Sequence, residues 1–237
     1  MGEDIPALMI GIDEAGRGPV VGDMIICILG VESDRIEQLK KIGVRDSKEL
    51  TPAQRSKILK KIISISRFYA TINVPPIEID KKNINVLVRN SILSLLLLLL
   101  NTVFTNYNNI VIYIDEVKGT LSYLRNTISK QIRGKRHVEI IMEPNADRKY
   151  PVVSAASIVA KYLRDQGILA LKPVFGDLGS GYPSDPYTRR WIMEISKTYD
   201  EPPRIIRRTW RTLKDLVPNW YMEKARKTKR SILDYLY

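Results

Sequence analysis

Two adjacent acids, Asp13 and Glu14, follow a short apolar run at 7–12 and lead directly into Gly16-Arg17-Gly18-Pro19. An apolar run of that length and branched content predicts a buried strand. Two carboxylates beside backbone that glycine leaves open to close approach are the chemistry of a divalent cation, with a phosphate or sugar held against the turn. The arrangement recurs. The apolar run at 110–114 ends at Asp115, and the run at 138–142 is followed shortly by Asp147. If these strands are neighbours in one sheet, Asp13, Glu14, Asp115 and Asp147 converge on one edge. Four crowded carboxylates repel one another and need cations beside them. Oxygen-only ligands point to Mg²⁺ or Mn²⁺, and a pair of such ions can bind both the attacking water and the leaving oxygen of a phosphodiester. Acids also sit past strand ends because they are solvated there, and spacing alone leaves that reading open.

Composition narrows the chemistry. In 237 residues the net charge is +12 and the pI about 9.7, an excess that favours a polyanionic partner, nucleic acid first among them. A single cysteine, Cys27, excludes an internal disulfide and a cysteine-based zinc site, and is expected to be a small core residue. A single histidine, His137, leaves catalysis to carboxylates, metal or lysine. A P-loop is excluded because Arg17-Gly18 follows Gly16 where lysine and a hydroxyl residue belong, and a dinucleotide fingerprint is excluded because Asp13 replaces its second glycine. The Leu95–Leu100 run lies in an apolar stretch at 92–104, too short to span a bilayer, and predicts a buried helix. A cytoplasmic protein without membrane contact is expected, with acids rather than a secretory signal at its start.

The elements that must position these acids follow from periodicity and breakers. Strands are predicted at 24–31, antiparallel to the first, and at 67–74, 110–114 and 137–142. Helices are predicted at 35–42, capped by Ser33 or Asp34; at 52–64, capped by Thr51 with Pro52 first; and at 85–103, 120–132, 151–169 and 186–197. A polar loop is expected at 44–50 and a glycine-rich one at 175–186. From Arg204 the chain turns basic, with ten Lys or Arg against two acids through Arg230. The expected class is an α/β fold with a C-terminal helical extension, divided into a core at 1–200 and a basic helical region at 201–237.

Four stretches together resemble ribonuclease HII, the type 2 ribonucleases H. They are Gly-Ile-Asp-Glu-Ala-Gly-Arg-Gly-Pro-Val at 11–20, Arg-Asp-Ser-Lys-Glu-Leu at 45–50, Asn-Ala-Asp-Arg-Lys-Tyr-Pro-Val-Val-Ser-Ala-Ala-Ser-Ile-Val-Ala-Lys at 145–161, and Gly-Ser-Gly-Tyr-Pro-Ser-Asp-Pro at 179–186. The segment 208–214 is similar to the archaeal branch. The resemblance implies a ribonuclease H-like mixed β-sheet flanked by helices. It implies cleavage of RNA in RNA–DNA hybrids and of DNA duplexes with embedded ribonucleotides, leaving 5′-phosphate and 3′-hydroxyl ends. It places the metal-binding and catalytic acids on Asp13, Glu14, Asp115 and Asp147. Substrate contacts fall on Gly16, Arg17 and Gly18, which would read a 2′-hydroxyl, on Ser47 and Lys48 for phosphate, and on Tyr182 for the sugar. Asp165, in the matching helix, is assigned to structure.

Trp210 among the cations at 207–214 combines an aromatic with charges suited to phosphates, and is read as an anchor for the C-terminal helix. The end of the chain resembles a sliding-clamp-binding peptide with Ile232, Tyr235 and Leu236 as apolar anchors. Lys229 stands where such motifs carry glutamine, and a helix end docking on its own domain fits the pattern equally. A monomer is expected. Two rival readings are a DNA junction nuclease of the same superfamily, which has no need to read a 2′-hydroxyl, and a non-catalytic basic nucleic-acid-binding protein, which has no need for strand-end acids.

Overall fold

The computed structural model describes residues 6–44, 50–132 and 136–224. Five strands form one mixed sheet: β1 (Leu8–Ala15), β2 (Met24–Glu32), β3 (Phe68–Val74), β4 (Asn109–Asp115) and β5 (His137–Glu143). Their order is β3-β2-β1-β4-β5. β1 runs antiparallel to β2 and parallel to β4, and β4 runs parallel to β5. Three parallel strands therefore deliver their C-terminal ends to one edge, as the expected convergence of acids requires. β1 extends past the predicted 7–12 through Asp13 and Glu14, which pair with Cys27 and Ile26 of β2.

Alternation sorts the strands onto two faces. Leu8, Ile10 and Ile12 pack with α4 (Ile84–Leu100) and α5 (Leu121–Gln131). Met9 and Ala15 lie on the other face, under α7 (Pro151–Phe175), where Cys27 is also buried. α1 (Ile36–Lys41) and α2 (Pro52–Ile65) complete that second layer, contributing Leu39, Ile62 and Ile65. Gly11 is the point of closest approach, because a methyl there would overlap the backbone of Val152 and Val153.

The predicted start of α2 is present as a full capping box: the Gln54 N–H donates to Thr51 Oγ1 at 3.3 Å and the Thr51 N–H to Gln54 Oε1 at 2.9 Å. Several boundaries differ. Neither Ser33 nor Asp34 caps α1; a 3₁₀ turn at Ser33–Arg35 precedes it, and the Ser33 N–H is used by the Ala7 carbonyl at 2.9 Å. Pro76 does more than end β3, since it opens α3 (Pro76–Lys81) from the first helical position, where a missing N–H costs nothing. α4 stops at Leu100 and a 3₁₀ turn follows at Phe104–Asn106, shorter than the predicted 85–103. Its leucines bury one face while Leu98 is 58% exposed. α7 runs six residues beyond the predicted 169, through Pro173 to Phe175, and is closed by Gly176 with φ +74°. Among the described residues no helix is long and apolar enough to cross a membrane.

The later chain holds α6 (Ala146–Lys149), α8 (Pro186–Ile195) and α9 (Arg211–Leu216). The described part of the basic region is mostly irregular, with α9 and a 3₁₀ turn at Pro218–Trp220, and it packs against the core. Val20, Val21, Ile168, Trp191, Ile206, Leu213 and Trp220 share one buried cluster. Val21 and Ile206 form an antiparallel bridge.

Candidate active site

Asp13 lies at the centre of the sheet edge. Strand alternation turns it to the α7 side, where it is 8% exposed and hydrogen-bonded by the Ser157 hydroxyl. The Glu14 N–H donates to its Oδ1 at 2.8 Å. Burial first, then the neighbouring Glu14 charge and that of Asp115, push the Asp13 carboxyl up to about 8. Glu14 turns the opposite way, and burial also raises it, opposed by Arg17. Arg17 Nη1 donates to Glu14 Oε1 at 2.9 Å, and Nη2 donates to Asn85 Oδ1 at the start of α4.

Asp115 ends β4, beside β1, and its repulsion is felt by both Asp13 and Glu14. Its neighbour Glu116 is exposed, which separates the two acids that the sequence left side by side. Asp147 sits on α6 rather than at the end of β5. Asn145 turns the chain with φ +57°, and the Ala146 N–H then donates to Asp115 Oδ1 at 2.9 Å. Asp147, the next residue, is 5% exposed. One hydrogen bond thus ties the segment carrying the fourth acid to the strand carrying the third.

Among the described residues no three His, Cys, Asp or Glu side chains stand drawn together as a ready ligand cluster. Each acid is instead engaged by a donor close by: Asp13 by the Glu14 amide, Glu14 by Arg17, and Asp115 by the Ala146 amide. The donor set still fits a hard divalent cation. It offers only carboxylate oxygens, two of them held above their ordinary range by burial and mutual repulsion that a cation would relieve.

The Gly16–Gly18 turn leaves β1 beside these acids. Gly16 has φ +94°, and a methyl there would come within 2.8 Å of the Asp23 carbonyl, so only glycine fits. At Gly18 the open side faces an aromatic: a Cβ would stand 3.7 Å from Tyr182 Cε1. The structure therefore brings Gly18 and Tyr182 together from residues 164 positions apart. Tyr182 is 40% exposed and lies on a loop fixed to the turn, since the Val20 N–H donates to the Gly181 carbonyl at 2.8 Å. Arg164 of α7, 7% exposed, sits 4.8 Å from the Tyr182 ring centre and donates to the Ser180 carbonyl. Asp165 pairs with Arg55 of α2, in keeping with its expected structural role.

Arg207 departs from expectation. Read as one of the cations suited to phosphates, it is 0% exposed. Its Nε and Nη2 donate to the Gly22 carbonyl at 3.0 and 2.8 Å, and Nη1 to the Arg17 carbonyl at 3.2 Å. Arg211 and Lys214 are the neighbouring cations left exposed. Trp210 anchors the same place, its Nε1–H donating to the Gly18 carbonyl at 2.9 Å. Ser157, Arg164 and Arg207 had no local signature beyond lying in or beside matching stretches, and Asn85, at the start of a helix far from any of them, had none at all. Ser47, Lys48, Ile232, Tyr235 and Leu236 lie outside the described residues.

The profile of the Ribonuclease HII family matches residues 10–213. Ribonuclease HII of Hyperthermus butylicus is 40% identical over 233 residues, covering 96% of this chain and 94% of that protein. The crystal structure of the ribonuclease H2 from Pyrococcus horikoshii OT3 is similar with a TM-score of 0.76 and 39% identity, over 90% of this chain and 98% of that one. The ribonuclease HII in a PCNA:RNase HII complex from Archaeoglobus fulgidus is similar with a TM-score of 0.72 and 31% identity, over 96% and 100%. The match takes in the strand-end acids, the glycine turn and Tyr182 together, and the chain belongs to the ribonuclease HII family.

Proposed function

We propose that this chain is a metal-dependent endoribonuclease that cleaves the RNA strand of RNA–DNA hybrids and cuts DNA duplexes at embedded ribonucleotides. Family membership supports the activity. The observation that carries the substrate reading is the Gly18–Tyr182 juxtaposition beside Asp13, Glu14 and Asp115. The turn offers backbone groups to a ribose 2′-hydroxyl, which is what tells RNA from DNA. The Tyr182 ring, held by Arg164, offers a face to the sugar.

The reaction is hydrolysis: water adds to phosphorus, the bond to the 3′-oxygen breaks, and 5′-phosphate and 3′-hydroxyl ends remain. Mg²⁺ or Mn²⁺ held by Asp13, Glu14, Asp115 and Asp147 would supply charge neutralisation at the phosphate and an acidified water. Ser157 and the Glu14 amide fix the Asp13 carboxyl, while Asn85 and Glu14 hold the Arg17 guanidinium at the mouth of the turn. Ser47 and Lys48 are proposed phosphate contacts. The C-terminal peptide with Ile232, Tyr235 and Leu236 is proposed to bind a sliding clamp, a reading supported by the similar Archaeoglobus protein's complex with PCNA. A monomer, with a core at 1–200 and a basic region at 201–237, completes the proposal.

The test is a labelled DNA duplex with one embedded ribonucleotide, with and without Mg²⁺ or Mn²⁺, beside an all-DNA control. Metal-dependent cutting on the 5′ side of the ribonucleotide with the control intact is expected. Binding without cutting of this duplex or of a long hybrid would overturn the enzyme reading in favour of a binding protein.

A further inference from the structure

The turn that would read the ribose is held from beneath by a segment nearly two hundred residues later in the chain. Residues 205–207 run along residues 20–22: the Gly22 N–H donates to the Ile205 carbonyl and the Arg207 N–H to the Val20 carbonyl, each at 2.8 Å. From this rail Arg207 reaches the Gly22 and Arg17 carbonyls, and Trp210 reaches the Gly18 carbonyl. The two side chains form one unit, the Arg207 guanidinium carbon lying 5.0 Å from the Trp210 ring centre. Asp80 of α3 locks the turn between them, accepting from the Arg208 N–H at 2.9 Å, the Thr209 N–H at 3.0 Å and the Thr209 hydroxyl at 2.8 Å. Asp80 is 5% exposed, so the lock is built into the interior.

The consequence for the turn follows from peptide geometry. No peptide bond among the described residues is cis, so each C=O points opposite to the N–H of its own peptide. With the Arg17 carbonyl drawn to Arg207, the Gly18 N–H faces away from Arg207. With the Gly18 carbonyl drawn to Trp210, a second acceptor is taken out of play, and Pro19 contributes no N–H of its own. The Gly18 N–H is thereby kept as a donor facing away from Arg207, which suits a hydroxyl or phosphate oxygen and disfavours a flip that would present the Arg17 carbonyl instead. A buried guanidinium is costly unless its donors are used, and here they are used on these carbonyls.

We propose that Arg207 and Trp210 are positioning residues for ribonucleotide discrimination: by holding the Arg17 and Gly18 carbonyls inward, they set which backbone groups of the glycine turn meet the 2′-hydroxyl. This rests on the functional reading above. Neither residue touches the reacting phosphate; each acts through the turn.

The experiment compares wild type, Trp210→Phe and Arg207→Lys by fluorescence anisotropy in chelator, using a duplex with one ribonucleotide and its all-DNA counterpart. Phenylalanine keeps an aromatic ring and loses the donor to Gly18; lysine keeps the charge but lacks the planar fork that spans two carbonyls. The ratio of the two affinities is expected to fall about fivefold in each variant, the equivalent of one hydrogen bond, with the all-DNA affinity unchanged. An unchanged ratio in folded Trp210→Phe, or equal loss on both duplexes, overturns the proposal; a mere packing role would lower the melting temperature without moving the ratio. Should Arg207→Lys fail to fold, Trp210→Phe still decides. A wild type without preference for the ribonucleotide would overturn the functional reading instead.

Discussion

Gly11→Ala is the substitution whose outcome the packing determines most sharply. Gly11 lies in the middle of β1, two residues before Asp13, and a methyl on it would occupy the space of the Val152 carbonyl and the Val153 nitrogen at the start of α7. Those are backbone atoms, so no rotamer change gives way. Carbon needs roughly 3.5 Å from its neighbours, so β1 and α7 must part by about 1 Å or more. α7 cannot drift freely: Val152 and Val153 are 1% and 0% exposed, and the Ser154 hydroxyl donates to the Val44 carbonyl. Overpacking of this kind costs about 3 kcal/mol, the upper part of its usual range. For a domain of this size that lowers the melting temperature by about 6–12 °C. Because Ser157 of α7 holds the Asp13 carboxyl, parting the two elements also misplaces Asp13. A shift of that order costs about 100-fold in cleavage of the ribonucleotide-containing duplex. The control is Gly167→Ala on the same helix, where a methyl meets nothing within 4 Å. It should gain about 0.5–1 kcal/mol and keep full activity. A Gly11→Ala protein that melts within about 1 °C of wild type and cleaves within about twofold of it would refute the contact and the reasoning.

Gly18→Ala has the opposite profile: its methyl finds ordinary space 3.7 Å from Tyr182, so stability holds, but it narrows the gap proposed to take a sugar, and cleavage should fall about 10-fold or more. Tyr182→Ala should cost about 10- to 100-fold in kcat/KM through lost stacking, with little change in melting temperature, because the ring is 40% exposed. Asp185 caps α8 and accepts from the Ser180 and Tyr187 N–H groups at 2.6 and 2.9 Å, which hold its carboxyl down to about 2. A carboxyl depressed on folding contributes stability above its unfolded value and loses it as pH falls through the folded one. Asp185→Ala should therefore cost about 1 kcal/mol at neutral pH, and melting curves of variant and wild type should draw together between about pH 4 and pH 2.

What could be read from the sequence was what the chain encodes locally. Thr51, Pro52 and Gln54 announce a helix start within four residues, and the structure completes their capping box. The apolar runs at 7–12, 110–114 and 137–142 announce strands, and Asp13 and Asp115 stand at the ends of two of them. That β1, β4 and β5 are neighbours is a matter of topology, which no single run carries. The helix predicted at 151–169 already runs through Gly167, where the buried face from Val152 to Ile168 outweighs one glycine, but its continuation through Pro173 to Phe175 lies beyond that face and has no sign in the sequence. The support of the site was least legible. Arg207 meets Gly22 across 185 positions and Asp80 meets Thr209 across 129, and a buried arginine reads in sequence like any other cation of a basic tail. Asp147 is singled out through its motif and not through a strand end, and the structure places it on a short helix after a left-handed Asn145 re-aims the chain.

The central claim is that the acids at the ends of β1 and β4 and at the start of α6 form one cation site. It is tested most directly by Mn²⁺ titration calorimetry on wild type, Asp115→Asn and Asp147→Asn, with folding checked by circular dichroism. Both substitutions, from segments 32 positions apart, should weaken Mn²⁺ binding about 10-fold or more while the fold is kept. Unchanged Mn²⁺ affinity in either folded variant would contradict the account and remove that acid from the site.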